Sequence, residues 1–191
     1  MKIILASASP RRSQLLEALG LTFTVCPSPA LEPAPTSADG RDPGAFVERL
    51  ARLKADAITS EDLIIAADTV VVIDDEILGK PVDVADARAM LGRLRGRSHA
   101  VYSGICVRHG ARIESAHQIT AVTFGEFSDE WIASYVQTGE PMDKAGSYAA
   151  QGKGALLVTK IEGDYWNVVG LPLFRLSQML REFGVHIEEC W

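Results

Sequence analysis

Apolar and polar positions along the chain alternate between two periods. Lys2 to Ala6 is a short apolar run that gives way at once to Ser9-Pro10-Arg11-Arg12. That order predicts a strand followed by a helix, with Ser9 as N-cap, Pro10 at the first helical position and Gly20 as the stop. Between Asp42 and Ile58 the apolar residues Phe46, Val47, Leu50, Leu53, Ala57 and Ile58 fall on one arc at helical spacing. Asp42 is the expected cap and Pro43 the first helical residue. Leu63 to Ile73 is nearly continuous in apolar residues, as in a strand buried on both faces. A helix is predicted over Val84 to Leu94, with Ala87, Met90, Leu91 and Leu94 on one side. Two strands follow, His99–Val107 and Ile113–Phe124, and the turn Arg108-His109-Gly110-Ala111 makes them an antiparallel pair. Ser128 caps a helix through Val136 that Gly139 ends. A strand over Ala155–Ile161 and a last helix from Pro172 to Gly184 complete a mixed α/β layout. Pro27 to Gly44, rich in Pro, Ala, Ser and Asp, reads as a long loop of the kind that often carries function.

A chain of 191 residues fits one domain over residues 1–191, long enough to bury roughly 70% of its unfolded surface. The formal net charge of −6 argues against a nucleic-acid polymer as partner, because backbone binding needs a basic face. A local cluster of Arg and Lys can still receive a small anion. Three cysteines without a CxxC pair give neither a disulfide framework nor a zinc site. The start of the chain is too short in apolar residues for a signal peptide or a membrane span, so a cytoplasmic location is expected.

Against this background several charged residues stand in unexpected places. Arg11 and Arg12 lie in the first turn of a helix, where the dipole is already positive; an anion such as phosphate would offset them. The other reading is two solvated surface arginines. Asp68 sits in Ile64-Ile65-Ala66-Ala67-Asp68-Thr69-Val70-Val71-Val72, where its neighbours predict burial. Such a carboxylate can hold a divalent cation, act as a base toward water, or accept hydrogen bonds from a nearby loop. Lys54 falls inside the apolar arc of its helix, either snorkelling to solvent or reaching a buried anion. Lys80 is a loop lysine between Gly79 and Pro81. In Asp143-Lys144-Ala145-Gly146-Ser147-Tyr148-Ala149-Ala150-Gln151-Gly152, Lys144 suits a phosphate, Tyr148 could stack on a base, and Gln151 offers a paired donor and acceptor. The same stretch also reads as a plain Gly-containing connector. Trp131 and Trp166 read as packing residues. Neither a GxSxG elbow nor a P-loop occurs. Five cations with one buried carboxylate fit attack on a nucleotide phosphorus, where catalysis is mostly positioning and charge neutralisation.

These residues also carry a resemblance. Ser7-Ala8-Ser9-Pro10-Arg11-Arg12, Ala67-Asp68-Thr69-Val70-Val71, Leu78-Gly79-Lys80-Pro81, Asp143-Lys144-Ala145-Gly146 and Asn167-Val168-Val169-Gly170-Leu171-Pro172-Leu173 resemble, in order, the signatures of the Maf family. The resemblance implies a nucleoside triphosphate pyrophosphatase that uses a divalent metal, Mg²⁺ or Mn²⁺. It further implies an ITPase-like fold with an elongated mixed central sheet flanked by helices, two lobes around a nucleotide-binding cleft, and often a homodimer. Asp68 matches the proton acceptor, and Glu32, Lys54 and Lys80 match polar positions around triphosphate and metal, with Asp68 and Glu32 as the metal carboxylates. Arg11, Thr69 and Gln151 match positions linked to base choice, while Ser7, Arg12 and Lys144 join the substrate-binding set. The loop with Gln151 is similar to the branch acting on dTTP and UTP, in which modified pyrimidine nucleotides are further candidate substrates. The alternatives are a 7-methyl-GTP pyrophosphatase, whose branch tends to carry Glu at the Gln151 position, and a nucleotide-binding regulator of cell division with little turnover. Three departures from the family pattern are Leu31 before Glu32, where a second acidic residue is frequent, Arg41 at an outer-loop position where an acidic residue is frequent, and Ser103 before Gly104 in place of Thr.

Overall fold

A computed structural model describes all 191 residues. Seven strands, β1 (Ile3–Leu5), β2 (Thr24–Val25), β3 (Leu63–Ile73), β4 (Glu76–Leu78), β5 (Ser98–His109), β6 (Arg112–Phe124) and β7 (Val158–Glu162), form one sheet. Its order is β2-β1-β3-β5-β6-β7, with β4 pairing β3 off that path. β1 runs parallel to β2 and β3, and the remaining pairs are antiparallel. Seven helices surround it: α1 (Pro10–Ala18), α2 (Ser37–Arg41), α3 (Pro43–Asp56), α4 (Val84–Leu94), α5 (Asp129–Gln137), α6 (Tyr165–Val169) and α7 (Leu173–Glu182). None of them is long and apolar enough to cross a membrane. The mixed sheet flanked by helices is the predicted fold class.

The central strand β3 is paired along one side with β5 from Ile64 to Val72. Its other side is shared. β1 covers Leu63 to Ile65, and β4 covers Val71 to Ile73. Residues 66 to 70 therefore have no strand partner on that side. The gap exists because β1 stops at Leu5 to enter α1, and because β4 folds back through Asp74 and Asp75, both with positive φ (53° and 57°). Two consecutive left-handed residues match the twist of a tight hairpin.

Side chains alternate across β3, and each face carries two cores separated at the gap. On one face Leu63, Ile65 and Ala67 pack with residues of α1 and α7, whereas Val71 and Ile73 pack with α4 and α5. These two clusters are the cores of two lobes, and Thr69 stands between them. On the opposite face Ile64 and Ala66 pack with Ala51, Ala55 and Ile58, whereas Val70 and Val72 pack with Phe46, Val47 and Leu50 of α3. Asp68 stands between those. Its cross-strand partner is Gly104. A Cβ on Gly104 would lie 2.3 Å from the backbone carbon and oxygen of Val47, so the missing side chain is what lets α3 lie against the sheet.

Several local expectations need correction. The segment expected as one loop from Pro27 to Gly44 contains α2, which opens with a capping box between Thr36 and Asp39, and Gly44 already belongs to α3. Ser9 is the N-cap residue of α1, yet its side chain makes no capping bond; its backbone N–H donates to Ser7 Oγ at 3.2 Å. The strand expected at Ala155 begins at Val158, because Gly152–Leu157 winds as a 3-10 turn. Pro172 is the N-cap of α7 rather than its first residue. Trp166 is half-exposed on α6 and packs edge-on to Tyr165, not in the core.

Candidate active site

The gap in the β3 edge opens into a cleft of about 590 Å³ between the two lobes. All ten residues singled out from the sequence line it: Ser7, Arg11, Arg12, Glu32, Lys54, Asp68, Thr69, Lys80, Lys144 and Gln151. Five cations (Arg11, Arg12, Lys54, Lys80, Lys144) face three carboxylates (Glu32, Asp68, Asp143) in its wall. The cleft is thus locally positive by two charges, although the chain carries −6.

Lys54 enters the cleft from the last turn of α3, seven residues after Val47. Its Nζ lies 2.6 Å from Asp68 Oδ1 and 3.0 Å from Glu32 Oε1. The ammonium neither snorkels to bulk solvent nor waits for an anion alone; it joins the carboxylate of β3 to one on the long loop. Asp68 is 8% exposed, and Lys54 bonds its Oδ1, with no hydrogen bond from the protein to Oδ2. Glu32 is exposed at the rim, and its neighbour Leu31 points away at 92% exposure.

The two arginines of α1 diverge. Arg12 is held by the protein: Nε donates to Gly170 O (2.8 Å), Nη1 to Ala67 O (2.8 Å) and Ser7 Oγ (3.2 Å), and Nη2 to Thr69 Oγ1 (3.1 Å). Four of the five N–H groups of the guanidinium are thereby engaged. Arg12 closes the open edge of β3 and ties it to the 167–171 segment, which leaves one N–H for a ligand. Burial lowers its pKa, against the pull of Asp68. Arg11 differs, since its side chain lines the cleft while its Nε is buried with no partner.

Thr69, Ser103 and Asn167 form a hydrogen-bonded chain behind the cleft. Thr69 Oγ1 and Ser103 Oγ are 2.8 Å apart, and Ser103 Oγ donates to Asn167 O at 3.0 Å. Asn167 Nδ2 in turn donates to Val101 O (3.0 Å) and Thr120 Oγ1 (2.9 Å). On the opposite wall Lys144 Nζ donates to Glu140 O (2.7 Å) and Asp143 Oδ1 (2.5 Å). Lys80 and Gln151 are exposed in the cleft and make no side-chain bond within the protein. Tyr148, expected to stack on a base, does not present a free ring. It is 5% exposed, packed edge-on against Phe124 and His99, with its hydroxyl 2.8 Å from His99 Nε2. Sequence reasoning passed over Glu140 and Tyr135. They lie behind the cleft wall, and an ordinary amphipathic helix end gives no signal for them.

Glu32 and Asp68 come together through the Lys54 ammonium, each by one oxygen, which leaves the other oxygen of each carboxylate free. No third His, Cys, Asp or Glu completes a protein-only cation cage. Two carboxylates suit a hard cation that takes its other ligands from phosphate and water.

The fold and the cleft together define a mixed α/β protein with a cation-rich cleft at a break in its central sheet. The chain belongs to the Maf family: residues 2–183 match the family described as Maf-like protein. It is 49% identical over 189 residues to the dTTP/UTP pyrophosphatase of Symbiobacterium thermophilum, covering 97% of this chain and 96% of that relative. To the dTTP/UTP pyrophosphatase of Dictyoglomus turgidum it is 50% identical over 188 residues, covering 96% of each. Among solved structures, a HAM1 protein from Coxiella burnetii shares the fold with a TM-score of 0.51. The identity there is 16%, over 95% of this chain and 99% of that one.

Proposed function

We propose that this chain hydrolyses dTTP and UTP to the monophosphate and pyrophosphate. The observation that carries the reading is the meeting of an excess of cations with the Glu32–Lys54–Asp68 group in one cleft. Relatives of nearly equal length and about half-identical sequence bear the name dTTP/UTP pyrophosphatase.

In the reaction, water attacks the α-phosphorus and the bond from that phosphorus to the α,β-bridging oxygen breaks. Asp68 Oδ2, free of protein partners, accepts the proton of the attacking water. Lys54 fixes the other oxygen of Asp68, so the carboxylate cannot rotate away from the phosphorus. Lys80, Lys144 and the guanidinium of Arg11 offset the negative charge of the triphosphate and of the leaving pyrophosphate. Glu32 and Asp68 would hold Mg²⁺ or Mn²⁺, which supplies charge neutralisation at phosphate oxygens and raises the acidity of water. Ser7 and Arg12 shape the phosphate-facing end of α1.

Base choice falls to Thr69 and Gln151. Gln151 can donate to a pyrimidine carbonyl and accept from the ring N–H, the pattern that thymine and uracil share. A carboxylate there would suit the cationic 7-methylguanine instead.

The test is pyrophosphate release by purified protein from dTTP, UTP, CTP, GTP and 7-methyl-GTP with Mg²⁺ or Mn²⁺. Release from dTTP and UTP that Asp68→Asn abolishes is the expected result. Gln151→Glu should depress dTTP turnover. Binding without release from any nucleotide would overturn the reading in favour of a regulator.

A further inference from the structure

The wall of the cleft that carries Lys144 and Gln151 is a loop with both ends tied to one residue outside the cleft. Glu140 follows α5 and does not line the cavity. Its backbone carbonyl accepts from Lys144 Nζ at 2.7 Å, at the start of the loop. Its carboxylate accepts from the N–H groups of Lys153 (3.1 Å) and Gly154 (2.9 Å), at the end. The Tyr135 hydroxyl donates to the same carboxylate at 2.9 Å and accepts from the Ala149 N–H, in the middle of the loop, at 3.2 Å. Gly154 packs so closely that a Cβ would lie 2.4 Å from both the Tyr135 hydroxyl and Ala149 O. Burial pushes the Glu140 carboxyl up, but the three donors outweigh this and hold it below the usual carboxylate range.

Gln151, by contrast, has no partner of its own and sits one residue before Gly152. Its position is set only by the backbone on either side. We infer that Glu140, with Tyr135, is a positioning residue for base recognition: it fixes the 144–154 loop so that Gln151 meets the base at one place. The inference rests on the pyrophosphatase reading above. A carboxylate is required because three N–H and O–H donors converge on two oxygens. A glutamine would turn an NH₂ group toward at least one of them and release that strand of the loop.

The experiment is steady-state pyrophosphate release from dTTP, UTP and CTP by wild type, Glu140→Gln, Tyr135→Phe, Gln151→Ala and the Glu140→Gln/Gln151→Ala double variant. Expected for Glu140→Gln is a KM for dTTP raised about tenfold and a preference for dTTP over CTP reduced by a similar factor, equivalent to one lost hydrogen bond. kcat should change much less. In the double variant Glu140→Gln should add almost nothing, because the two residues act through one contact. A purely structural role would instead lower the melting temperature and slow all three substrates equally, with the preference intact. That result, or effects that multiply in the double variant, overturns the inference. Should Glu140→Gln fail to fold, Tyr135→Phe carries the same comparison. A wild type inactive on all three nucleotides removes the pyrophosphatase reading and this one together; an active wild type with an unchanged preference in the variant removes only this one.

Discussion

The Lys54 ammonium is shared between two carboxylates, 2.6 Å from Asp68 Oδ1 and 3.0 Å from Glu32 Oε1. Asp68 is nearly buried while Glu32 is at the rim, so Lys54 links the wall of the sheet to the long loop across the mouth of the cleft. Removing it by Lys54→Met takes from the nearly buried Asp68 its only directly bonded counter-charge and leaves the more distant Arg12 guanidinium. The variant should lose about 2–3 kcal/mol of stability and at least about a hundredfold in kcat. Adding Asp68→Asn to it should return most of the stability and none of the activity. Urea denaturation and pyrophosphate release on the two variants separate these effects, and activity returning with stability would show that the pair is structural only.

The hydroxyl of Thr69 has its proton assigned by its neighbours. Arg12 Nη2 only donates and Asn167 O only accepts, so the 2.8 Å contact between Thr69 and Ser103 is satisfied with Thr69 as donor. Thr69 can then offer a base only a lone pair. Thymine and uracil present an N–H at ring position 3, whereas cytosine presents a lone pair there, which would repel it. Ser103→Ala frees the proton of Thr69, and the preference for dTTP over CTP should fall about tenfold with little change in kcat for dTTP. Competition kinetics with the two nucleotides measures it. An unchanged preference would mean that Gly170 O, 3.4 Å from Thr69 Oγ1, takes the proton instead.

His99 makes stability pH-dependent from inside the second core. It is 5% exposed, bonded through Nε2 to Tyr148, with Nδ1 buried and unpartnered. Burial brings its pKa down from 6.5 to about 4. Between those values the unfolded chain binds a proton that the folded chain refuses, so stability is full above pH 6.5 and falls as the pH drops toward 4. The loss reaches about 3 kcal/mol by pH 4. Urea midpoints of wild type and His99→Gln at pH 7, 5.5 and 4.5 should diverge in slope, with the variant flatter over this window.

The long periodic elements were legible in the sequence because each buries a whole face. The run Leu63 to Ile73 is β3 residue for residue, and Val84 to Leu94 is α4. The short elements β2, β4 and α6 were not, since two to five residues carry too little periodicity to register. They exist through tertiary pairing: β4 through a left-handed Asp74-Asp75 turn, and α6 through a cap at Asp164 and a left-handed stop at Gly170. Of the cleft residues, Asp68, Lys54, Arg11 and Arg12 could be picked out as charges in unexpected places and Gln151 by its paired donor and acceptor, whereas Ser7, Glu32 and Thr69 came only with the family resemblance. Their partners could not be picked out. That Arg12 would be taken up by Ala67, Thr69 and Gly170 depends on where β1 ends relative to β3, a long-range fact absent from local pattern. The same holds for Tyr148, whose burial beside His99 and Phe124 follows from the seating of its loop on the second lobe.

Gly104 connects this packing to the chemistry. It pairs with Asp68 across β3 and β5, and α3 rests on the bare backbone there, with Val47 C and O at 2.3 Å from where a Cβ would be. The obstructing atoms are helix backbone, which cannot rotate aside as a side-chain tip would. In Gly104→Ala, α3 must therefore rise off the sheet or tilt, and Lys54, seven residues beyond Val47 on the same helix, moves with it. Overpacking of this kind costs about 1–3 kcal/mol, and a displacement of the Nζ by even about 1 Å costs on the order of a hundredfold in rate when a positioned group depends on it. The variant should fold with a lowered urea midpoint and lose most pyrophosphate release, although no atom of any cleft-lining residue has been altered. Full activity with lowered stability would show instead that Lys54 keeps its place on Asp68 through the flexibility of its own side chain, and that the seating of α3 is a matter of stability alone.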